Sequence, residues 1–203
     1  MDELNERDLL RVRLRFLDLS KSFFLGEPDA EKISRWRGTF SALIQEQVSP
    51  GFDRAVKELS DALSSKSLKD LQDEYYSLFV NPFDGAPVNT CASFYFDGRS
   101  FGQSLVEIRS LLSDAGLQKT ESVSEPEDSL VVMLDSFSSL VEEEKTNSGE
   151  VVKQLQSRLF TEFLYPFSIK FCDALCENKE ADFFALCGIF LNEYLALERG
   201  LFV

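Results

Sequence analysis

The sequence contains no histidine among its 203 residues. Histidine is the commonest general base and the commonest side-chain ligand of zinc, so its absence excludes Ser-His-Asp and Cys-His catalysis and most zinc sites. Phosphate-binding loops are missing as well, since neither GxxxxGKS/T nor a GxGxxG motif after a strand occurs. We therefore expect a protein that is not an enzyme and that binds no metal and no cofactor.

Cysteine and long apolar runs are also scarce. The four cysteines form no CxxC pair, which predicts buried, reduced thiols rather than a disulfide or a metal site. The N-terminus is densely charged and lacks the apolar segment of a secretory signal, and the apolar run at 183–191 is about half the length of a membrane span. These features predict a cytoplasmic protein without stable membrane insertion.

Basic residues are few, because 21 lysines and arginines face 35 acidic residues and leave a net charge of −14. Such a surface repels phosphate backbones, so nucleic acid is not an expected partner, whereas a basic segment would be attracted. The acidic excess could equally serve solubility alone. The hydrophobic share of 44%, with nineteen phenylalanines, is ample for a packed core and leaves aromatic rings that could line an apolar groove.

Apolar residues recur at three- and four-residue steps through most of the chain, which predicts an all-α protein of about eight or nine helices. Ser67 and Asp70 have the spacing of a capping box, and Pro50 is placed as a first-turn proline. Gly116 is predicted to end one helix, and Pro166 to interrupt another that starts near residue 150.

We expect one domain, 1–203, with an N-terminal lobe at 1–116, a polar hinge at 117–124 and a C-terminal lobe at 125–203. Residues 81–100 are predicted to be a long irregular segment, which compact domains rarely contain without a purpose. Its aromatic residues either pin the loop to the core or help it to shape a site. The glycines of GRSFG at 98–102 indicate only a turn.

The stretch SVSEPEDSLVVMLDSF, residues 122–137, places carboxylates at the predicted start of a helix. Ser124 and Glu127 have capping-box spacing, and the acids oppose the positive end of the helix dipole. Capping does not by itself require Asp128 or Asp135. Two interpretations stay open, a helix cap and half of a binding site for a basic ligand.

Three segments, in this order, resemble a known family. LQDEYYSLFVNP at 71–82 is similar to the E-Y-x-x-L-F signature of the TorD/DmsD/NarJ family, and PVNTCASFY at 87–95 to its P-x-x-S-x-Y segment. AGLQKTESVSEPEDSLVVMLDSFSSL at 115–140 resembles the segment of that family that contains E-P-x-D-H. The resemblance extends from about residue 10 to residue 195 of an all-α chain of typical length for the family.

The resemblance implies an all-helical, TorD-like chaperone for molybdenum-cofactor oxidoreductases. Its expected partner is the precursor of a molybdopterin oxidoreductase subunit, bound through its twin-arginine leader or through the catalytic subunit itself. The chaperone would assist cofactor insertion and hold the subunit before export. Some family members exchange halves, which here implies a monomer or a dimer swapped through 117–124.

A twin-arginine leader has two arginines followed by an apolar stretch, so its receptor needs carboxylates and an aromatic groove. Candidate carboxylates are Glu125, Asp128 and Asp135, with Pro126 from the same motif and Ser129 in place of the usual histidine. The candidate aromatic residues are Tyr75, Tyr76, Phe79, Phe83 and Tyr95. Against this, Glu125 could act only as a cap, and Tyr75 and Phe79 could belong to the core.

Two other functions remain open. A helical adaptor or scaffold without an export role would show an exposed apolar patch elsewhere and indifference to twin arginines. An enzyme with paired carboxylates would show a closed pocket and an acid of strongly raised pKa.

Overall fold

The computed structural model describes residues 6–81, 87–120, 123–145 and 149–202. The α-helices are α1 (Glu6–Phe24), α2 (Ala30–Leu43), α3 (Pro50–Ser65), α4 (Leu68–Tyr75), α5 (Ala92–Asp97), α6 (Gln103–Asp114), α7 (Leu130–Glu143), α8 (Glu150–Arg158), α9 (Tyr165–Glu177) and α10 (Phe183–Arg199). A π-helical segment, Tyr76–Val80, extends α4, and another, Leu159–Leu164, joins α8 to α9. The described residues thus form nine continuous helices and no strand, which confirms the all-α prediction.

Several helix ends fall where the sequence predicts them. Pro50 stands in the first turn of α3, and Ser67 and Asp70 form a capping box at α4, both as predicted. The N-cap of α3 is Ser49, which the sequence analysis did not assign. Gly116 follows α6 with φ of 69°, a left-handed conformation that glycine adopts at little cost. Each of these signals is local, so the sequence alone is sufficient to locate them.

Two predicted boundaries are wrong. Helix α7 begins at Leu130 with Ser129 as its N-cap, so Ser124 and Glu127 do not form the predicted capping box and Pro126 precedes the helix. The segment 81–100 is not irregular throughout, because it contains α5. The N-terminus of α5 is capped from outside its own sequence, which local signals cannot reveal.

Pro166 does not interrupt its helix, contrary to the prediction. Proline lacks an amide hydrogen, and its ring clashes with the carbonyl four residues earlier in a regular α-helix. Here the preceding turn, Leu159–Leu164, is π-helical, and the Tyr165 amide donates to the Phe160 carbonyl. This wider turn accommodates the proline while the chain continues into α9.

Backbone contacts divide the chain into two compact units. The first unit comprises Thr90–Phe167 with the residues up to Lys21 and from Glu198, and the second comprises Ser22–Asn89 and Ser168–Leu197. The predicted lobes at 1–116 and 125–203, with the hinge at 117–124, follow a different division and stay a prediction. Residues 121–122 of that hinge lie outside the described residues.

Each unit has its own aromatic core. In the first, the Phe160 ring packs 5.4 Å from Phe137 and 4.9 Å from Phe202. In the second, the Phe23 ring lies 5.2 Å from Trp36, whose indole N–H donates to Ser22 Oγ at 2.8 Å. The many phenylalanines of the sequence thus serve mainly as core.

The cysteines are all free thiols. Cys172 and Cys187 are buried as predicted, whereas Cys176 is exposed and Cys91 is half-buried. Within the described ranges, no helix is both long enough and apolar enough to span a membrane.

Candidate functional site

Two of the three family-like segments meet in the first unit. The Ala92 amide donates to the Asp128 carbonyl at 2.9 Å, and the Leu130 amide donates to the Thr90 carbonyl at 2.8 Å. These bonds form an isolated antiparallel bridge at Cys91 and Ser129. The segment before α5 is therefore fixed against the segment before α7, although 35 residues separate Ser93 from Asp128 in the sequence.

Asp128 caps α5 across this junction. Its side chain is fully buried, and Oδ2 accepts the backbone N–H of Ser93 at 2.9 Å. Cys91, the residue at the N-cap position of α5, makes no side-chain capping bond of its own. Within the part of the chain that the structure describes, Oδ1 of Asp128 has no hydrogen-bond partner. Burying a carboxylate with only one of its oxygens bonded costs free energy of folding. Capping alone does not require the Asp128 side chain to be buried in this way.

Ser129 organises residues 125–129 before α7, which we call the acidic turn. Its Oγ accepts the Val132 amide at 3.3 Å and donates to Glu125 Oε2 at 3.2 Å. Its own amide donates to the Pro126 carbonyl at 3.0 Å. Glu125 is exposed, so its carboxylate is held from one side and open to solvent on the other.

The other two carboxylates of this stretch have cationic partners within the chain. Glu127 pairs with Arg109 at 2.8 Å, and Asp135, which is exposed, pairs with Lys21 at 2.7 Å. Partial burial acts to raise the pKa of Glu127, but hydrogen bonds from its own amide and from Arg109 outweigh it and leave that pKa below its usual range. A basic ligand would have to compete with these partners.

Cys91 pairs with Ser129 in the bridge, and Tyr95 follows it within α5. The Tyr95 ring packs 5.5 Å from Phe167, and burial raises the pKa of its phenol. Burial, with the negative charges of Asp128 and Glu125, raises the pKa of the Cys91 thiol to about 11. Both groups are therefore neutral at physiological pH and add no charge to the site.

The predicted aromatic residues of α4 and its π-helical extension lie in the second unit. The Tyr75 and Phe79 rings are 5.1 Å apart, and both pack on Phe184 of α10. Both are half-buried, and Tyr76 is 55% exposed. Phe83 lies outside the described residues. The structure thus brings Tyr75 and Phe79 together in one unit and Glu125, Asp128 and Ser129 together in the other.

Glu74 is the glutamate of the E-Y-x-x-L-F signature, and the sequence reasoning assigned it no structural role. It is buried, and its Oε1 accepts the amides of Asp182 and Phe184 at 2.8 Å each, so it caps α10 from a distant helix. Lys66 lies 3.6 Å from its other oxygen. A signal was present, because Glu74 stands three residues after Leu71 and four before Leu78, on an otherwise apolar stripe.

The site in the first unit consists of the junction between 90–93 and 128–130 together with the turn 125–129. It offers an exposed carboxylate, a buried one with a spare oxygen, and neutral thiol and phenol groups. No cluster of three acidic or cysteine side chains suited to a metal ion occurs among the described residues.

Comparisons with known proteins point to one family. A family model described as nitrate reductase delta subunit matches residues 45–173, more than half of the chain. The chain also resembles a crystal structure of a candidate redox enzyme maturation protein from Archaeoglobus fulgidus, with 19% sequence identity and a TM-score of 0.57. That alignment covers 89% of this chain and 93% of the other, and at this identity it establishes a common fold. A comparison with curated proteins gives no match.

Proposed function

Because the chain belongs to the nitrate reductase delta subunit family, within the TorD/DmsD/NarJ type, we propose that it is a cytoplasmic maturation chaperone for a molybdenum-cofactor oxidoreductase. In this role it binds the twin-arginine leader of the catalytic subunit, or the subunit itself. It assists cofactor insertion and holds the client before export. It performs no chemistry of its own.

The observation that carries the proposal is the junction of Ser93 with Asp128. Two sequence segments that identify the family are joined there by backbone and side-chain hydrogen bonds, so they form one structural element. Glu125 is exposed at the edge of that element. Recognition of a basic peptide needs this kind of arrangement, a fixed backbone that presents a carboxylate with little loss of conformational freedom.

The candidate carboxylates differ in their exposure and in the partners they already have. Glu125 is exposed; among the described residues, the Ser129 hydroxyl donates to its side chain and the Lys119 ammonium to its carbonyl. Asp135 already pairs with Lys21. Asp128 is buried, so it acts chiefly by holding the turn in place. We therefore expect Glu125 to make the largest direct contribution to binding of arginine.

Calorimetric titration with a twin-arginine leader peptide tests this function. We expect binding to the wild-type chain that weakens as salt rises and when both arginines of the peptide are changed to alanine. Glu125→Gln should weaken binding about three- to tenfold, because an amide cannot form a charged pair with a guanidinium.

Glu58→Gln is the matched control, since Glu58 is also exposed but lies in α3 of the second unit, far from the acidic turn in the sequence. It changes the net charge by the same amount and should leave the affinity unchanged. If no leader binds, leader recognition is wrong. The chain would then act on the mature subunit or as the adaptor without an export role. Co-purification with the leaderless catalytic subunit would distinguish these two.

A further inference from the structure

Phe101 combines a strained backbone with an exposed side chain. Its φ is 60°, and among the described residues it is the one non-glycine residue with positive φ. Its side chain is 72% exposed. A bulky residue in the left-handed region is strained, and an exposed ring recovers little of that cost through packing. Strain of this kind is typical of positions kept for function.

The turn around Phe101 is built to hold this conformation. The Asp97 carboxylate accepts both the amide and the hydroxyl of Ser104 at 2.9 Å. It also fills the space that a Cβ at Gly102 would need. The Phe101 amide donates to Ser93 Oγ at 3.1 Å. The ring is therefore presented to solvent by a fixed turn.

A second exposed ring belongs to the residue after Ser93. Phe94 follows Ser93 in α5, and its side chain is 44% exposed. Ser93 is thus adjacent to both aromatic residues, since it precedes Phe94 and bonds the backbone of Phe101. The same residue bonds Asp128, which follows the exposed Glu125 by three positions. One buried serine links an aromatic surface to an acidic turn within the first unit.

We propose that Phe94 and Phe101 form the docking surface for the apolar stretch of the client leader, beside the acidic turn that receives its arginines. This inference rests on the proposed function. The occupant follows from charge and chemistry, because a peptide with a cationic part and an apolar part complements an acidic turn next to exposed rings. A second copy of this chain would bring another net charge of −14 to the same surface, which disfavours self-association there.

The variant Phe101→Gly separates a binding role from a structural one. Glycine adopts positive φ without strain, so the melting temperature should stay the same or rise. The affinity for a twin-arginine leader peptide, measured by calorimetry, should fall about tenfold, as for loss of an aromatic anchor. Val151→Ala removes a similarly exposed apolar side chain of α8 and should change neither quantity.

A second peptide completes the experiment. When the apolar stretch of the leader is replaced by polar residues and the arginines are kept, the wild-type and Phe101→Gly proteins should bind it equally and weakly. If the wild-type chain binds the natural leader and Phe101→Gly binds it as tightly, the docking surface is wrong and the proposed function stands. If the wild-type chain binds no leader, leader recognition fails and this inference fails with it. A lowered melting temperature in Phe101→Gly would show that the ring packs within the chain and would also overturn the proposal.

Discussion

Asp128 combines two properties that local sequence does not reveal together. It stands in a run of acids and is expected at a solvated helix end, yet it is fully buried and bonded to a backbone amide of another segment. Its neighbours Glu125 and Glu127 stay at the surface, one open to solvent and the other paired with Arg109. Adjacent carboxylates therefore have different roles, because the junction with α5 buries only one of them.

The pKa of the Cys91 thiol depends in part on the negative charge of Asp128. This thiol pKa is raised to about 11 by burial and by nearby carboxylates, so the fold favours the neutral thiol. The pKa of a cysteine in an unfolded chain is about 8.5. Between these two pKa values the folded chain keeps the thiol proton that the unfolded chain loses. The contribution of Cys91 to the free energy of unfolding is therefore fully present below the unfolded pKa and is lost as pH rises through the folded pKa.

We expect Asp128→Asn to lower the pKa of Cys91, because it removes a negative charge that opposes the thiolate. Alkylation of Cys91, followed against pH by peptide mass spectrometry, should then begin at lower pH than in the wild-type chain. Glu58→Gln, the same charge change far along the sequence, should leave the Cys91 profile as it is. An unchanged profile in Asp128→Asn would mean that Asp128 does not contribute to this pKa.

At the scale of the element, two helices are capped from a distance by buried acids. Asp128 caps α5, and Glu74 caps α10 by accepting the amide just before that helix and one in its first turn. A helix N-terminus has four amides without intrahelical partners, and an acid there also opposes the helix dipole. Both capping acids lie in segments that resemble the family signature. Part of the role of these motif residues is therefore structural.

Two substitutions at Glu74 separate hydrogen bonding from charge. Glu74→Ala leaves the Asp182 and Phe184 amides without their acceptor and should lower the free energy of unfolding by about 2 kcal/mol. Glu74→Gln keeps an acceptor oxygen and loses only the ionic interaction with Lys66, so its cost should be about 1 kcal/mol or less.

Urea denaturation monitored by circular dichroism measures both values. Asp73→Ala, one position earlier in α4 and exposed, provides the control and should cost little. Equal losses in the alanine and glutamine variants would assign the stabilisation to charge instead of to capping.

At the scale of the whole molecule, one buried arginine ties together parts of the chain that are far apart in sequence. Arg13 of α1 bonds Glu144 after α7 at 3.0 Å, Gln156 of α8 at 3.3 Å and Glu198 of α10 at 2.7 Å. Because Arg13 and Glu198 are both buried, their charges depend on each other for compensation.

Arg13→Met should therefore lower the free energy of unfolding by about 3–5 kcal/mol, since it removes the guanidinium that faces the buried Glu198 carboxylate. The double variant Arg13→Met with Glu198→Met should recover much of this loss, because the fully buried carboxylate is then removed as well, while the partly exposed Glu144 keeps its hydrogen bond from Gln156. Chemical denaturation of both variants checks the prediction. A double variant that is no more stable than the single one would show that the arginine acts through packing.

The sequence alone predicted the features that depend on neighbouring residues. Helical periodicity predicted the all-α fold. The capping box of Ser67 and Asp70, the first-turn proline Pro50 and the glycine Gly116 located ends of α4, α3 and α6. The resemblance to the family came from three short segments, and the family match confirms it. Local signals were sufficient there because caps and turns are settled within four or five residues.

Tertiary structure decided the features that depend on distant residues. The start of α7 at Leu130, the existence of α5 and the burial of Asp128 all follow from the pairing of 90–93 with 128–130. The continuation through Pro166 depends on a π-helical turn, and the exposure of Phe101 on bonds to Ser93 and across the Asp97 turn. Periodicity and spacing describe a segment by itself, whereas these bonds join segments that the sequence keeps apart, and only the folded chain brings them within hydrogen-bonding distance.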